Sequence, residues 1–451
     1  MALTFRGGIH PDEHKNTRSF PVVRMPSCAK VSIPLSQHIG AHCKPTVKIG
    51  DLVDKGQTIG EVESGLGCPV HSSVSGKVVA IETKSTASGV KVQNVVIESD
   101  GEERLSPDIK ESGRVLSETS QEEIVEIVRM AGISGMGGAT FPTYAKISSA
   151  IGKAQTLVVN CAECEPYITA NHRLLLENPA AVINGTKILM KATGVKEAVI
   201  ALEDNKKDTL RKLKTLTADS QFINIQLLKT KYPQGDERQI IYALTGKELP
   251  MGKLPADLGF VVFNAETCAA VYMAFSQNMP LVERIVTVDG DCIAKPKNVL
   301  VPLGTQYVDL INFCGGLTKE PEKIINGGPM MGAAQWDITS AVTKGTSALL
   351  VFSKDCVITY SQPKNCIRCG RCVRGCPMRL MPNYLQAYAK KADYDTCRSF
   401  NIMSCVECGT CSYQCPAFIP IVQYIRDAKF KINEEDRAKS AAQKKTADNR
   451  A

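Results

Sequence analysis

Aromatic residues are scarce in this chain: Phe, Tyr and Trp together make up 6% of 451 positions, and tryptophan occurs once, at Trp336. No aromatic-rich basic module of the kind that binds nucleic acid is present. The sequence also lacks any run of about 18 uninterrupted apolar residues, and residues 1–10 show none of the basic, apolar and cleavage regions of a secretory leader. A cytoplasmic chain with no membrane span is therefore expected. Metal spacing of the HExxH type is missing among the six histidines, His10, His14, His38, His42, His71 and His172. Neither sign of charge dominates: 54 Lys and Arg against 46 Asp and Glu leave +8, a mild excess that suits a soluble surface, an acidic protein partner or a membrane surface. With 43% hydrophobic and 22% charged residues the chain is globular. At about 150 residues per domain, its length points to about three domains whose cores need no disulfides.

Cysteine is what the chain has in excess, 18 in all, too dilute for a secreted disulfide scaffold and too many to be incidental. Eight fall into two sets of identical spacing, Cys366, Cys369, Cys372 and Cys376 followed by Pro377, then Cys405, Cys408, Cys411 and Cys415 followed by Pro416. Both match the bacterial ferredoxin pattern, in which three thiolates on a tight loop hold three corners of a cubane and the fourth reaches the other cluster. The expected ligand sets are therefore crossed: Cys366, Cys369, Cys372 and Cys415 for one [4Fe-4S] cluster, and Cys405, Cys408, Cys411 and Cys376 for the other. A pair of zinc sites would leave the third cysteine of each set unexplained. Arg368, Arg371, Arg374 and Arg379 crowd the first set, either favouring the reduced cluster or forming a solvated face.

Upstream the grammar changes several times. Residues 31–100 read as short strands and turns, and the pairing of VKIGDLVDKGQTIG with SVSGKVVAIE resembles the two halves of a biotinyl or lipoyl-like hammerhead, with no lysine at the tip for a carrier group. Residues 101–119 are polar, with Pro107 and Gly113, and read as a linker. Ser120 to Glu123 form a capping box before a helix that Gly132 should stop. Strand candidates at 156–160, 198–203, 223–228 and 260–263 then alternate with helical stretches, the signature of a mainly parallel sheet. Residues 284–332 return to strands and turns and resemble a soluble-ligand-binding β-grasp domain. The charged, alanine-rich end, from about residue 432, is expected to fray.

Between the capped helix and the strand at 157 lies a glycine-rich loop, with Gly132, Gly135, Gly137, Gly138, Phe141, Pro142 and Lys146. It reads either as a phosphate cradle ahead of a helix N-terminus, with Lys146 one turn on, or as a tight structural turn. Three polar segments fall at the carboxyl ends of strands, where open α/β sheets bind ligands: Asn160-Cys-Ala-Glu163-Cys-Glu165-Pro, Tyr232-Pro-Gln-Gly-Asp236-Glu237, and Asn264-Ala-Glu-Thr267. This order of motifs closely resembles the NADH-binding flavoprotein subunit of respiratory complex I. Together with Phe5-Arg-Gly-Gly-Ile-His10-Pro11, the hammerhead, the β-grasp domain and the two ferredoxin sets, nearly the whole chain resembles the RnfC family, whose members belong to the Rnf complex.

That resemblance implies a multidomain α/β fold: an N-terminal arm (1–30), a barrel-sandwich module (31–100), a linker (101–119), a Rossmann-like FMN- and NADH-binding domain (120–280), a β-grasp domain (281–350), an α-helical two-cluster ferredoxin-like domain (351–431) and a charged tail (432–451). It implies a peripheral subunit, on the cytoplasmic face of the membrane, of an ion-translocating NAD:ferredoxin oxidoreductase. FMN, NAD(H) and two [4Fe-4S] clusters would be its cofactors, other subunits of the complex its partners, and ferredoxin an indirect one. Gly135, Gly137, Gly138 and Lys146 would cradle the flavin phosphate; Asn160, Glu163, Tyr232, Asp236, Asn264 and Thr267 would line the flavin; Phe141, Glu165 and Glu237 would face the nicotinamide nucleotide. Thr140 replaces a glycine of the complex I pattern and Ala162 an acidic residue. Cys161 and Cys164 form a CxxC beside the flavin segment, where contact or packing is expected of them. Two rival readings are a soluble flavin and iron-sulfur reductase resembling cobalamin reductase, and a non-catalytic electron-relay scaffold.

Overall fold

The structure, a computed structural model, describes residues 2–86, 90–357 and 364–448. An N-terminal strap leads into β1 (Val22–Arg24), followed by β2 (Lys30–Pro34), β3 (Lys44–Pro45), β4 (Leu52–Val53), β5 (Thr58–Glu61), β6 (Val70–His71), β7 (Gly76–Ser85) and β8 (Lys91–Ser99). Two sheets, ordered β2-β8-β7-β4 and β3-β5-β6, close a barrel-sandwich over the fully buried Ile33, Ile59, Val78, Val95 and Ile97. β-Branched residues dominate this core because their branched side chains pack well on pleated strands. The segment read as a linker is tied down: Leu105 bridges Lys55, and Ser112 N–H donates to the Ser276 carbonyl.

The flavin-type domain begins with α1 (Gln121–Met130), where the Ser120 side chain and Glu123 cap each other reciprocally. Gly132, at φ +64°, ends that turn. Then come α2 (Thr143–Ala150), β9 (Thr156–Cys161), α3 (Ala170–Glu177), α4 (Pro179–Thr193), β10 (Glu197–Glu203), α5 (Lys207–Thr217), β11 (Ile223–Leu228), α6 (Glu237–Thr245), β12 (Phe260–Asn264) and α7 (Ala265–Gln277). The sheet is ordered β11-β10-β9-β12 and wholly parallel, so the chain reverses its direction of travel between β9 and β12. Asn264 and Asn160 are neighbours in register at that switch point. α4 and α7 cover one face at a backbone approach so close that a Cβ on Gly185 would lie 1.7 Å from the Cys268 carbonyl oxygen.

A second sheet, ordered β1-β14-β13-β17-β15-β16, is built from β13 (Glu283–Asp289), β14 (Lys297–Pro302), α8 (Tyr307–Phe313) on its connection, β15 (Lys323–Asn326), β16 (Ala333–Gln335) and β17 (Ala348–Phe352). β1 joins it in parallel to β14, so part of the expected arm belongs to the β-grasp sheet. β17 runs across the boundary expected at residue 350, because all five of its residues are buried in that sheet. The last part comprises α9 (Arg371–Gly375), α10 (Pro382–Ala389), α11 (Tyr394–Ser399), α12 (Thr410–Tyr413) and α13 (Ile421–Asp448). The frayed tail expected from 432 is instead the continuation of α13; its last three residues, 449–451, lie outside the described residues. Ile421, Ile425, Ala428 and Ile432 form one buried stripe of that helix against the cluster domain, which carries the helix past the expected end.

The barrel-sandwich is fastened to the rest by Lys344, whose buried ammonium donates to the Pro69 carbonyl at 3.0 Å and the Gly132 carbonyl at 2.6 Å. Burial, reinforced by that ammonium, pushes the neighbouring His71 imidazole down from 6.5 to about 3. The unfolded chain then binds a proton that the folded chain refuses, so stability is lost as pH falls below 6.5. Taking the parent from about pH 6.5 to 5.5 should cost about 1 kcal/mol more than the same step costs His71→Asn. Urea unfolding at the two pH values checks this; equal losses would refute it.

Candidate functional site

The glycine loop is folded back on itself, with Gly135 N–H donating to the Phe141 carbonyl at 3.0 Å and Ser134 bridging Pro142. Met136 N–H donates to Thr267 Oγ1 at 3.2 Å, which anchors the loop on the first turn of α7. A Cβ on Gly137 would stand 2.6 Å from Asn264 Nδ2, whereas one on Gly138 would meet nothing within 4 Å. The first glycine thus lets the loop reach the strand end, and the second leaves its backbone facing open space. Thr140, where the complex I pattern has a glycine, holds φ +53°, the left-handed conformation that a β-branched residue adopts only under strain. Pro142 is the residue before α2 and so leads into its first turn.

Polar atoms around this loop are orphaned. Ser134 Oγ, Thr143 Oγ1 and both amide atoms of Gln234 are buried without a hydrogen-bond partner. Burying such groups unpaired costs about 1–3 kcal/mol each, so a polar ligand at this edge would recover what the fold gives up. With backbone at the start of α2 and a glycine cradle, the donor set fits a phosphate-bearing flavin. Gln234, inside the Tyr232–Glu237 motif, was not singled out from sequence.

The remaining expected site residues divide. Asn160 Nδ2 donates to the Gly235 carbonyl at 2.8 Å, joining the ends of β9 and of the loop after β11. Asp236 caps α6 by accepting from Arg238 and Gln239 N–H, and burial pushes its carboxyl up to about 6. Lys146 Nζ is 2.7 Å from Glu237 Oε2, so the cation expected on a phosphate is shared with the carboxylate at the start of α6. Phe141 is exposed beside them.

Glu163, Glu165 and Tyr232 turn elsewhere. The Glu163 carboxylate accepts from Asn171 and His172 N–H at 2.7 and 3.2 Å and so caps α3. Glu165 accepts from Met330 and Met331 N–H at 3.0 and 2.9 Å, in the glycine-rich turn of the β-grasp domain, and burial pushes it up to about 7. Tyr232 is buried and donates its hydroxyl to the Cys408 carbonyl at 2.7 Å. Glu165 and Tyr232 thus tie the flavin-type domain to its neighbours, while Glu163 acts within it.

Two lysines, half-buried Lys15 and buried Lys206, hold the segment carrying Glu163 and Glu165. Lys15 Nζ donates to the carbonyls of Glu163, Glu165 and Ile168 at 2.9, 2.8 and 2.6 Å. Lys206 Nζ donates to the Ala162 carbonyl at 2.6 Å and pairs with Glu203 at 2.9 Å. Buried Arg284 pairs with Glu266 at 2.7 Å and reaches the Met136 carbonyl, fixing the glycine loop from the β-grasp side. None of these was foreseen; the Lys15 contacts span about 150 residues and leave no local trace.

The cysteines assemble as two crossed groups. Cys366, Cys369, Cys372 and Cys415 ring one cavity, and Cys376, Cys405, Cys408 and Cys411 ring the other. Four cysteines lining each of two cavities, paired across the two sets, is the ligand pattern of a two-cluster ferredoxin. Burial pushes Cys405 up to about 12, so in the metal-free chain it carries a proton that iron must displace. Cys408 of the second group packs with Tyr232 and Cys164 of the flavin-type domain, Ile9 of the N-terminal strap and Met330 of the β-grasp domain. Cys366 and Cys369 of the first are exposed.

Four family models match: the RnfC barrel sandwich hybrid domain over residues 3–102, the Nuo51 FMN-binding domain over 128–273, the SLBB domain over 285–334 and the 4Fe-4S dicluster domain over 358–416. A subunit of the Na(+)-translocating ferredoxin:NAD(+) oxidoreductase complex of Acetobacterium woodii is 43% identical over 431 residues, 95% of this chain and 97% of that relative. The counterpart from the proton-translocating complex of Clostridium ljungdahlii is 43% identical over 95% of this chain and 94% of its own length. The matching subunit of the ion-translocating oxidoreductase complex of Rhodobacter capsulatus is 39% identical over 97% and 85%. Among solved structures, an NAD+-reducing [NiFe]-hydrogenase in the H2-reduced state shares the fold at a TM-score of 0.51 and 18% identity, over 68% of this chain and 61% of that one.

Proposed function

The chain belongs to the RnfC family, subunits of ion-translocating ferredoxin:NAD+ oxidoreductase complexes, and from that membership we propose that it is the peripheral subunit where NAD(H) exchanges electrons with the complex. The single observation that carries the reading is the β9/β12 switch point, where Asn160 and Asn264 are neighbours in register and Asn264 lies against Gly137 of the glycine loop. FMN held there would supply hydride acceptance and one-electron release, and two [4Fe-4S] clusters held by the eight cysteines would supply a one-electron path onward. Gly135, Gly137, Gly138 and Lys146 are assigned to the flavin phosphate, and Asn160, Asn264, Thr267 and Asp236 to holding the loop and helix ends that line the flavin. Phe141 and Glu237 are assigned to the nicotinamide nucleotide. Glu163, Glu165 and Tyr232 act at one remove, by fixing the segments on which those groups stand.

The ligand group of Cys376, Cys405, Cys408 and Cys411 sits on the flavin side, and that of Cys366, Cys369, Cys372 and Cys415 opens outward. Among the described residues no helix is long and apolar enough to cross a membrane, so attachment at the cytoplasmic face would rest on other subunits. Relatives are named for sodium and for proton translocation alike, and this chain is not assigned the choice of ion. The barrel-sandwich module favours this reading over a soluble cobalamin-reductase-like enzyme, and the nucleotide-type switch point favours it over a bare relay.

Anaerobically purified protein should contain one flavin and two clusters and should bleach its flavin on addition of NADH; flavin that stays oxidised would sink the proposal. Glu237→Gln leaves Lys146 without its carboxylate and should slow that reduction about tenfold, chiefly through a raised KM for NADH. Cluster signals should be unchanged, and parental kinetics would remove Glu237 from the assignment.

A further inference from the structure

Residues 364–392 contain seven basic side chains and no acidic one. Of these, Arg379 is paired with Glu248 at 2.8 Å and Arg374 leans on the Cys369 carbonyl at 3.3 Å. Lys364, Arg368 and Arg371 are exposed and, among the described residues, have no acidic partner within ion-pair distance. Ile367, at the centre of this patch, is 68% exposed, and the flanking ligands Cys366 and Cys369 are exposed too. The second ligand loop is built oppositely: its Glu407 is neutralised by Arg426 at 3.1 Å and Lys429, and Cys408 and Cys411 are buried.

We propose that the Cys366–Cys372 loop is the docking face for an acidic protein domain carrying its own one-electron centre near its surface. The inference rests on the proposed function and adds to it the partner's chemistry and the place of contact. Unpaired cations concentrated around one exposed cluster edge steer an anionic partner to the point where electron transfer is shortest. An exposed apolar residue at the middle gives a dry contact once the charges have met. A lipid surface would satisfy the cations but has no electron to exchange, so the placement of the charge on the cluster favours a redox protein. In each encounter one electron leaves the partner's reduced centre and enters the chain; no bond forms or breaks, and two such transfers with one proton convert NAD+ to NADH. The reverse flow uses the same contact.

The test uses the full chain with its cofactors and, as probe, a small acidic two-cluster ferredoxin that has been reduced and freed of reductant. Stopped-flow oxidation of the ferredoxin by the chain, without NAD+, reads the encounter alone. The parental rate constant should fall about tenfold between roughly 20 and 300 mM salt, as the screening length shrinks from about 20 to about 6 Å. The triple variant Lys364→Gln, Arg368→Gln, Arg371→Gln should be about tenfold slower at low salt and nearly salt-independent. Its reduction by NADH should match the parent, and Arg368→Lys with Arg371→Lys should restore the rate. A salt-independent parent, or a triple variant as fast as the parent, overturns the proposal. So does a triple variant that keeps its ferredoxin rate but no longer sediments with phosphatidylserine vesicles, which would make the patch a membrane contact. A parent that takes electrons from ferredoxin yet fails to bleach its flavin with NADH tells against the proposed function instead.

Discussion

Cys376→Ser is expected to remove the buried cluster, lowering iron by about four atoms per chain and slowing electron delivery from NADH to any acceptor reached through the clusters by at least about a hundredfold. Cys376 belongs by sequence to the first set, but it lines the cavity of Cys405, Cys408 and Cys411. Serine offers a hard oxygen where iron-sulfur chemistry takes a soft thiolate, and the site is too buried for solvent to fill the place well. NADH should still bleach the flavin, since nothing at the β9/β12 switch point is touched. The paramagnetic signal lost in Cys376→Ser should be the one lost in Cys405→Ser, while Cys415→Ser should share its loss with Cys366→Ser. The opposite pairing of signals would show the ligand sets to be uncrossed.

Gly185→Ala should destabilise the flavin-type domain by about 3 kcal/mol or more, although it adds a single methyl group. The added carbon would lie 1.7 Å from the Cys268 carbonyl oxygen and 2.5 Å from its carbon, atoms of the α7 backbone that no rotamer change can move aside. α4 and α7 would have to part, opening gaps along a shared core that includes Val182, Leu189, Val271 and Phe275. For a domain of this size the thermal midpoint should drop by roughly 6–12 °C, followed by circular dichroism and by release of flavin fluorescence. A drop under about 2 °C would mean that the helices reseat at little cost.

Much of this was legible in the sequence because it is local. The four strands of the parallel sheet stand within a residue of where runs such as Thr156–Cys161 place them, since short apolar runs, buried on both faces in β9, β10 and β12, leave little alternative. The Ser120 capping box and the cluster spacings are equally local, each written within a few residues. What was hidden depends on distant partners. Nothing near Glu163 announces that its carboxylate will cap α3, and nothing near Lys15 marks the three carbonyls that it binds. The tail was misread for another reason: its charge hides that the apolar stripe of Ile421, Ile425 and Ala428 runs on into it at Ile432, so that one helix crosses the expected boundary. Thr140 shows the limit from the other side, since nothing in its sequence neighbourhood announces that a β-branched residue will hold φ +53°.

The strap at the start of the chain serves two domains. Leu3 lies along the edge strand β11, Ile9 and Tyr232 exchange backbone hydrogen bonds, and Gly8 N–H donates to the Gly375 carbonyl at 2.9 Å. Gly7 passes so near Cys376 that a Cβ there would come within 2.7 Å of the cysteine's carbonyl oxygen. The strap's seat is thus shared between the edge of the parallel sheet and the first ligand loop, two segments far apart in the chain. Shortening the strap should therefore unlatch the turn that carries Cys376 as well as uncover the edge of β11.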